Sequence, residues 1–308
     1  MRAVLIGAVE SSRVAARCLM EAADWELAAI ISLPLSLAER HSDFVDLAPT
    51  AKAAECPLIC AANANSPDII ARIEEQKPDY LFVIGWSQLC GDRLMAITPG
   101  RVVGFHPSPL PRLRGRGVIP WTILLDEPIT ASTLFLIDGG TDTGPILGQR
   151  FFHVAPDETA ATLYARHMST LAAMMPGVLA ELSRGTVSPI PQDDRHATWA
   201  MRRRPEDGEI DWSWSAYAAW RHVRACGDPY PGARSSCGNE VIVITEAEPD
   251  RITTHRAALA GQVVERSDTA FTVCCGDGSG LRVHGWRWGR AGPPPLHAKL
   301  GDHVRVSG

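Results

Sequence analysis

No stretch of this 308-residue sequence is apolar for long enough to span a bilayer, which takes roughly 20 consecutive residues. The opening, MRAVLIGAVESS, turns polar too soon for a secretory leader and reads as a first buried strand. The expected setting is cytoplasmic, with no membrane partner. Eight cysteines occur, at 18, 56, 60, 90, 226, 237, 274 and 275, yet no two form CxxC. A paired-CxxC zinc clamp is therefore excluded, and free, mostly buried thiols in a reducing compartment are expected. HExxH and a Walker-type glycine loop are missing too, so no metal is implied. There is no internal repeat, and no low-complexity segment beyond Pro293-Pro294-Pro295.

A basic footprint is lacking as well. The net charge is −5, with a pI near 6.1. Avid nucleic-acid binding draws most of its affinity from phosphate neutralisation, so nucleic acid is not the expected partner. The longest basic run, Arg202-Arg203-Arg204, is followed at once by Glu206 and Asp207 and reads as a solvated or locally paired face. A small anionic substrate needs only a few arginines and stays allowed.

What is present is ample apolar material, 45% of residues, arranged in short runs. Strands are expected at 3–7, 27–33, 58–59, 79–84, 101–105 and 131–137, with helices at 12–22, 50–55, 66–76 and 158–183. Strands and helices in alternation predict an α/β fold, a mostly parallel sheet with helices on both faces and a ligand site at the carboxyl ends of its strands. A first domain over 1–183 is followed by an Arg-, Pro-, Asp- and Gly-rich linker over 184–210. A smaller β-rich domain then covers 211–308, a small barrel or sandwich built on EVIVIT, GQVVE, AFTVCC, LRVHGW and HVRVS.

Three segments are candidates for chemistry. The first turn, GAVESS (7–12), has one glycine where a dinucleotide site wants GxGxxG, and its serines suit a helix cap better. In VVGFHPSPLPRLRGRG (102–117), His106 follows the apolar end of a strand, and Pro107, Pro109 and Pro111 stiffen the loop behind it. A rigid surface loop with a hydrogen-bonded histidine is the competing reading. In IDGGTDTGPIL (137–147), Asp138 and Asp142 flank a glycine pair; Gly139, Gly140 and Gly144 allow positive φ and close backbone approach. Delivered to the sheet edge that carries His106, a carboxylate would orient the imidazole. A glycine-rich turn with Asx hydrogen bonds is the alternative.

Together these segments resemble the N10-formyltetrahydrofolate-dependent formyltransferases, a family whose pattern reads Asn-x-His-x-Ser-x-Leu-Pro-x-x-Arg-Gly and later Asp-x-Gly-x-Asp-[Thr/Ser]-Gly. Here the first part runs from Gly104 to Gly115 and the second from Asp138 to Gly144, with His106 and Asp142 separated by 36 positions (142 − 106). FVIGWSQL (82–89), RRRPEDGEIDW (202–212) and GDPYPGA (227–233) extend the likeness over nearly the whole chain. The resemblance implies a Rossmann-like catalytic domain with an OB-like C-terminal barrel, and a formyl group passed from N10-formyltetrahydrofolate, as co-substrate, to a primary amine.

By the same resemblance, His106 and Asp142 form the catalytic pair, with either of them as the base. Gly104 stands at the position of the family's oxyanion-holding asparagine, and Ser108, a backbone N–H or a bound water is a substitute donor. A protonated His106 is another, and loss of transfer with retained binding a third reading. The folate is expected between Phe82, Gly85, Trp86, Ser87, Gln88 and Leu89 on one side and Leu136, Ile137, Asp138, Gly139, Gly140 and Thr141 on the other. Pro107, Arg114 and Arg116 are expected to meet the acceptor. The segment GDPYPGA favours the amino-sugar branch, hence a sugar-nucleotide acceptor. Amino-acid or siderophore-precursor amines and methionyl-tRNA are the alternatives within the family, and a non-catalytic folate- or nucleotide-binding protein or a formyl hydrolase outside it. A homodimer is compatible with the sequence. Trp286 and Trp288 either stack on a nucleobase or pack one face of a small sheet.

Overall fold

Residues apolar on both alternations make strands that are covered on both faces, and the segment Arg2–Ile6 (β1) is one of these. The computed structural model describes residues 1–250 and 257–301. These divide into two compact units. The first comprises 1–118, 128–154 and 163–202; the second comprises 119–127, 155–162 and the chain from Arg203 onward.

In chain order the first unit contains β1, α1 (Glu10–Glu21), β2 (Glu26–Ser32), α2 (Ala48–Ala53), β3 (Leu58–Cys60), α3 (Pro67–Glu75), β4 (Tyr80–Val83), α4 (Asp92–Met95), β5 (Val102–His106) and β6 (Arg114–Gly115). The short helix α5 (Val118–Leu124) lies mostly in the second unit. Then follow β7 (Ile129–Leu136), β8 (Ile146–His153), the long α6 (Ala160–Arg184) and β9 (Trp199–Ala200). Seven strands form one sheet in the order β3-β2-β1-β4-β5-β7-β8. The pairings from β3 through β5 are parallel, and those of β5 with β7 and β7 with β8 are antiparallel. The strand order reverses between β1 and β4, so their loops open a crevice at the carboxyl ends, where ligands of such sheets bind.

The alternation of side chains assigns each residue to a face. Leu5, Phe82, Val103 and Leu134 pack with Leu19 of α1 and with Leu171, Met175 and Leu179 of α6. Val4, Ile6, Leu81, Val83 and Val102 pack with Ile69, Ile70 and Ile73 of α3 on the opposite face. By parity with Val102, Gly104 and His106 point to the α3 face. Strand β8 was not anticipated: ILGQRFFH lacks clean alternation because it is a sheet edge, with Phe151 exposed.

The second unit holds α7 (Ala216–Cys226), also missed, and an antiparallel sheet of β10 (Ala233–Cys237), β11 (Glu240–Asp250), β12 (Val263–Arg266), β13 (Phe271–Cys274) and β14 (Gly280–Arg287), ordered β10-β11-β14-β13-β12. Ser215 caps α7 by accepting from Ala218 N, and Ala219 and Val223 bury against Ile242, Phe271 and Leu281. Bridges from Leu300 to Cys237 and from Lys299 to Gln262 tie both edges of the sheet to one short segment. Trp286 and Trp288 pack on this core, and both indoles donate to Gly292 O, which favours the packing reading over a nucleobase platform. The strand expected at HVRVS (303–307) lies outside the described residues.

One buried group makes the first unit sensitive to acid. His167 of α6 meets Ser132 Oγ at 2.9 Å through Nδ1 and the edge of Phe152, and its Nε2 has no partner among the described residues. Burial, with smaller contributions from His106 and Arg166, pushes its pKa down from 6.5 to about 3. Above 6.5 both folded and unfolded chains keep it neutral; below, the unfolded chain takes the proton first. Stability measured by urea unfolding is therefore expected to fall as pH drops from 6.5 toward 3, with a limiting slope from this residue of about 1.4 kcal/mol per pH unit. His167→Leu should flatten that dependence; an unchanged slope would assign the sensitivity to other groups.

Candidate functional site

His106 is the last residue of β5 and is buried. Its Nε2 lies 2.7 Å from Leu113 O. A carbonyl only accepts, so Nε2 carries the proton, and a neutral ring keeps its lone pair on Nδ1. That Nδ1 lies 3.7 Å from Asp142 Oδ2. The same carboxylate oxygen accepts from Gly115 N at 2.8 Å. A proton arriving on Nδ1 would thus face a carboxylate already held by a backbone donor.

Asp142 reaches this place differently from the sequence expectation. Because β7 runs antiparallel to β5, with Leu136 opposite Val103 and Thr133 opposite His106, its loop leaves the sheet beside the start of β5. The loop then folds back along β5 to bring Asp142 to His106. Gly139, Gly140 and Gly144 do not adopt positive φ; the left-handed residue of this loop is Asp142 itself, at φ 55°. Aspartate tolerates that region better than most residues. Gly144 serves close approach instead, since a Cβ there would lie 1.7 Å from Leu136 O.

Gly104 has a steric explanation. It pairs across strands with Phe135, and a Cβ at Gly104 would lie 2.8 Å and 2.9 Å from Phe135 ring carbons and 3.0 Å from Ile137 Cγ1. The space a side chain would enter is filled by an aromatic ring. Ser108 offers no replacement donor: it is fully buried, its hydroxyl donates to Arg112 O, and its carbonyl accepts from Thr133 Oγ1.

The arginines divide. Arg114, expected to meet an acceptor, is 2% exposed and turned into the fold. Its guanidinium donates to Gln192 Oε1 through Nε (3.1 Å) and Nη2 (2.8 Å), pairs with Asp194 at 2.7 Å and lies 5.7 Å from the centre of the Trp199 ring. A buried guanidinium is tolerable only when so fully partnered. Arg116 stays exposed on the following turn, and Pro107 is half-buried.

The expected folate loops are also sorted by the sheet. Phe82 faces α1 and α6, edge-on to Trp25, so it belongs to the core on the side away from His106. Gly85 is left-handed, Ser87 and Leu89 are exposed, and Gln88 donates to Ala62 O. Trp86 presents a buried indole N–H with no partner among the described residues. Such a donor is costly unless something accepts from it. In the second loop Leu136 and Ile137 are partly buried, Gly139 and Thr141 are exposed, and Asp138 Oδ1 accepts from Gly140 N and Thr143 Oγ1.

The segment taken as a linker contributes to the site. Up to Arg202 it belongs to the first unit. Its strand β9 pairs in parallel with β6, Thr198 Oγ1 accepts from Leu113 N, and Gln192 Nε2 donates to Asp142 O (2.8 Å) and Gly144 O (2.7 Å). No motif marks these residues, because their partners are backbone groups of loops far away in the chain. Among the described residues no helix is long and apolar enough to cross a membrane, and no three His, Cys, Asp or Glu side chains gather as metal ligands would.

Comparison with known proteins matches residues 3–179 to the family described as formyl transferase and residues 202–288 to the formyl transferase C-terminal domain. Among solved structures, the N-formyltransferase from Helicobacter canadensis, in complex with folinic acid and dTDP-3-aminofucose, is similar at 17% identity and a TM-score of 0.66, over 92% of this chain and 98% of that one. HypX from Aquifex aeolicus, in complex with tetrahydrofolic acid, is similar at 18% identity and a TM-score of 0.65, over 94% of this chain. This chain spans only 44% of HypX. The phosphoribosylglycinamide formyltransferase from Bacillus halodurans matches at 22% identity and a TM-score of 0.52, over 59% of this chain and 95% of its own.

The packing at Gly104 is directly testable. Gly104→Ala is expected to cost about 1–3 kcal/mol of stability in urea unfolding, as methyl and ring compete for one space. In a Phe135→Leu background the cost should shrink. Equal costs in both backgrounds would show that the ring is not what closes the position.

Proposed function

The chain belongs to the formyl transferase family, and from that premise we propose that it passes a formyl group from N10-formyltetrahydrofolate to the amino group of a nucleotide-linked amino sugar. The observation that carries the transfer chemistry is the His106–Asp142 pair, its imidazole buried, oriented through Leu113 O and with Nδ1 left open on the carboxylate side. Support for the acceptor comes from the end-to-end correspondence with a sugar N-formyltransferase, against partial correspondence with the glycinamide ribonucleotide enzyme and HypX.

In this reading the indole N–H of Trp86 and the backbone of the 136–141 loop hold the folate, and the exposed Arg116 meets acceptor phosphate. The neutral amine forms its bond to the formyl carbon and sheds one proton. His106 takes that proton at Nδ1, where Asp142 stabilises the imidazolium, and returns it to the folate nitrogen as the old carbon–nitrogen bond breaks. The products are a formamide and tetrahydrofolate, so atoms and charge balance. With Gly104 bare and Ser108 engaged elsewhere, the oxyanion is met by the imidazolium itself. Loss of one oxyanion donor typically costs about 10²–10³ in kcat, so turnover is expected to be slow for this chemistry.

The test is mass spectrometry after incubation with N10-formyltetrahydrofolate and a panel of dTDP-linked amino sugars, hydroxyornithine and methionyl-tRNA. A formyl mass gain on a sugar nucleotide is expected. A gain on another amine would overturn the acceptor, and formate release without an amine would make water the acceptor. His106→Ala should fold normally and lose transfer by at least a hundredfold; undiminished turnover would remove His106 from the mechanism.

A further inference from the structure

We propose that Gln192 is a positioning residue for the formyl transfer site, holding Asp142 in the left-handed backbone conformation that turns its carboxylate toward His106. The proposal rests on the reading of the site given above and extends it to a side chain 50 positions away from Asp142.

The geometry is saturated. Both N–H groups of the Gln192 amide are used, one toward Asp142 O at 2.8 Å and one toward Gly144 O at 2.7 Å. Its oxygen accepts twice from Arg114, at 3.1 Å and 2.8 Å. Carbonyls only accept and a guanidinium only donates, so the amide has a single orientation that satisfies every partner. Arg114 is fixed in turn by Asp194 and by the Trp199 ring, and its own backbone N–H donates to Thr198 O.

Asp142 needs such a hold. Its φ of 55° is unfavourable for a residue with a Cβ, and the loop around it is exposed from Asp138 through Thr141. Its carboxylate is anchored by Gly115 N, which keeps it beside His106 only while the backbone stays turned. Gln192 pins the carbonyls on either side of Thr143, so the peptide groups that set the direction of Asp142 cannot rotate independently. The same segment also grips the other half of the pair: Thr198 holds Leu113, whose carbonyl accepts from His106.

Gln192→Glu tests this, because it keeps length and the pairing with Arg114 but replaces both donors with an oxygen facing two carbonyls. With N10-formyltetrahydrofolate and dTDP-3-aminofucose as substrates, kcat is expected to fall at least tenfold with KM for the folate within twofold. Amide hydrogen exchange of Gly115, followed by NMR in the ligand-free protein, should accelerate at least tenfold as Asp142 ceases to accept from it. Should the charged variant fail to fold, Gln192→Met removes the donors without adding charge and should show the same two changes. Arg195→Ala, on the exposed side of the segment, should leave both readings as in the wild type. Unchanged Gly115 exchange overturns the proposal whatever the activity. Faster exchange with full kcat confines Gln192 to loop structure and overturns its role in the reaction. If the wild-type protein formylates neither this nor any other acceptor, the proposed function fails, while the exchange comparison still decides whether Gln192 holds Asp142.

Discussion

The approach of Asp142 Oδ2 to His106 Nδ1 across 3.7 Å places demands on three separate parts of the first unit. His106 must end a strand whose side chains on that face are otherwise buried, so that the ring is held by packing and by Leu113 O. Asp142 must come back along β5 from a strand running the other way, and does so by adopting a conformation few residues tolerate. Residues 190–200 must then lie against both loops. Each is a local cost, borne because the loops satisfy one another's backbone groups.

The substitution at Gly104 follows from the same crowding. Cross-strand pairing sets Phe135 over a residue without a side chain, and the ring then occupies the volume an asparagine would use. A polar amide in that place would compete with a buried ring. The chain has kept its imidazole and carboxylate while making the wall beside them apolar, which in the proposed mechanism shifts the burden of negative charge onto a protonated His106.

Arg114 illustrates how a charge can belong to the fold rather than to a ligand. A loop rich in arginine beside a catalytic histidine invites a phosphate-binding role, and Arg116 remains exposed enough for one. Arg114, two residues earlier, sits on the short strand β6, buried, and meets Gln192, Asp194 and Trp199 there. Residues two apart in a continued strand would share a face, so it is the bend after β6 that separates the two roles.

Much of the architecture was legible in local pattern. Short apolar runs spaced by amphipathic helices announce the parallel part of the sheet, and the two motifs around His106 and Asp142 announce a pair worth bringing together, because strand burial and loop stiffness are encoded by neighbours in sequence. Edge strand β8 and helix α7 escaped notice, one for lack of alternation and the other because it follows a polar stretch that reads as a linker. Only the tertiary structure decided that β7 runs against β5, that Phe135 fills the space at Gly104, that the Ser108 hydroxyl is engaged by Arg112 O, that Phe82 faces away from the chemistry, and that Gln192 spans Arg114 and Asp142. These outcomes rest on contacts between segments tens of residues apart, whose partners are backbone carbonyls and ring faces. Such partners carry no residue-type signature, so no spacing along the chain records them.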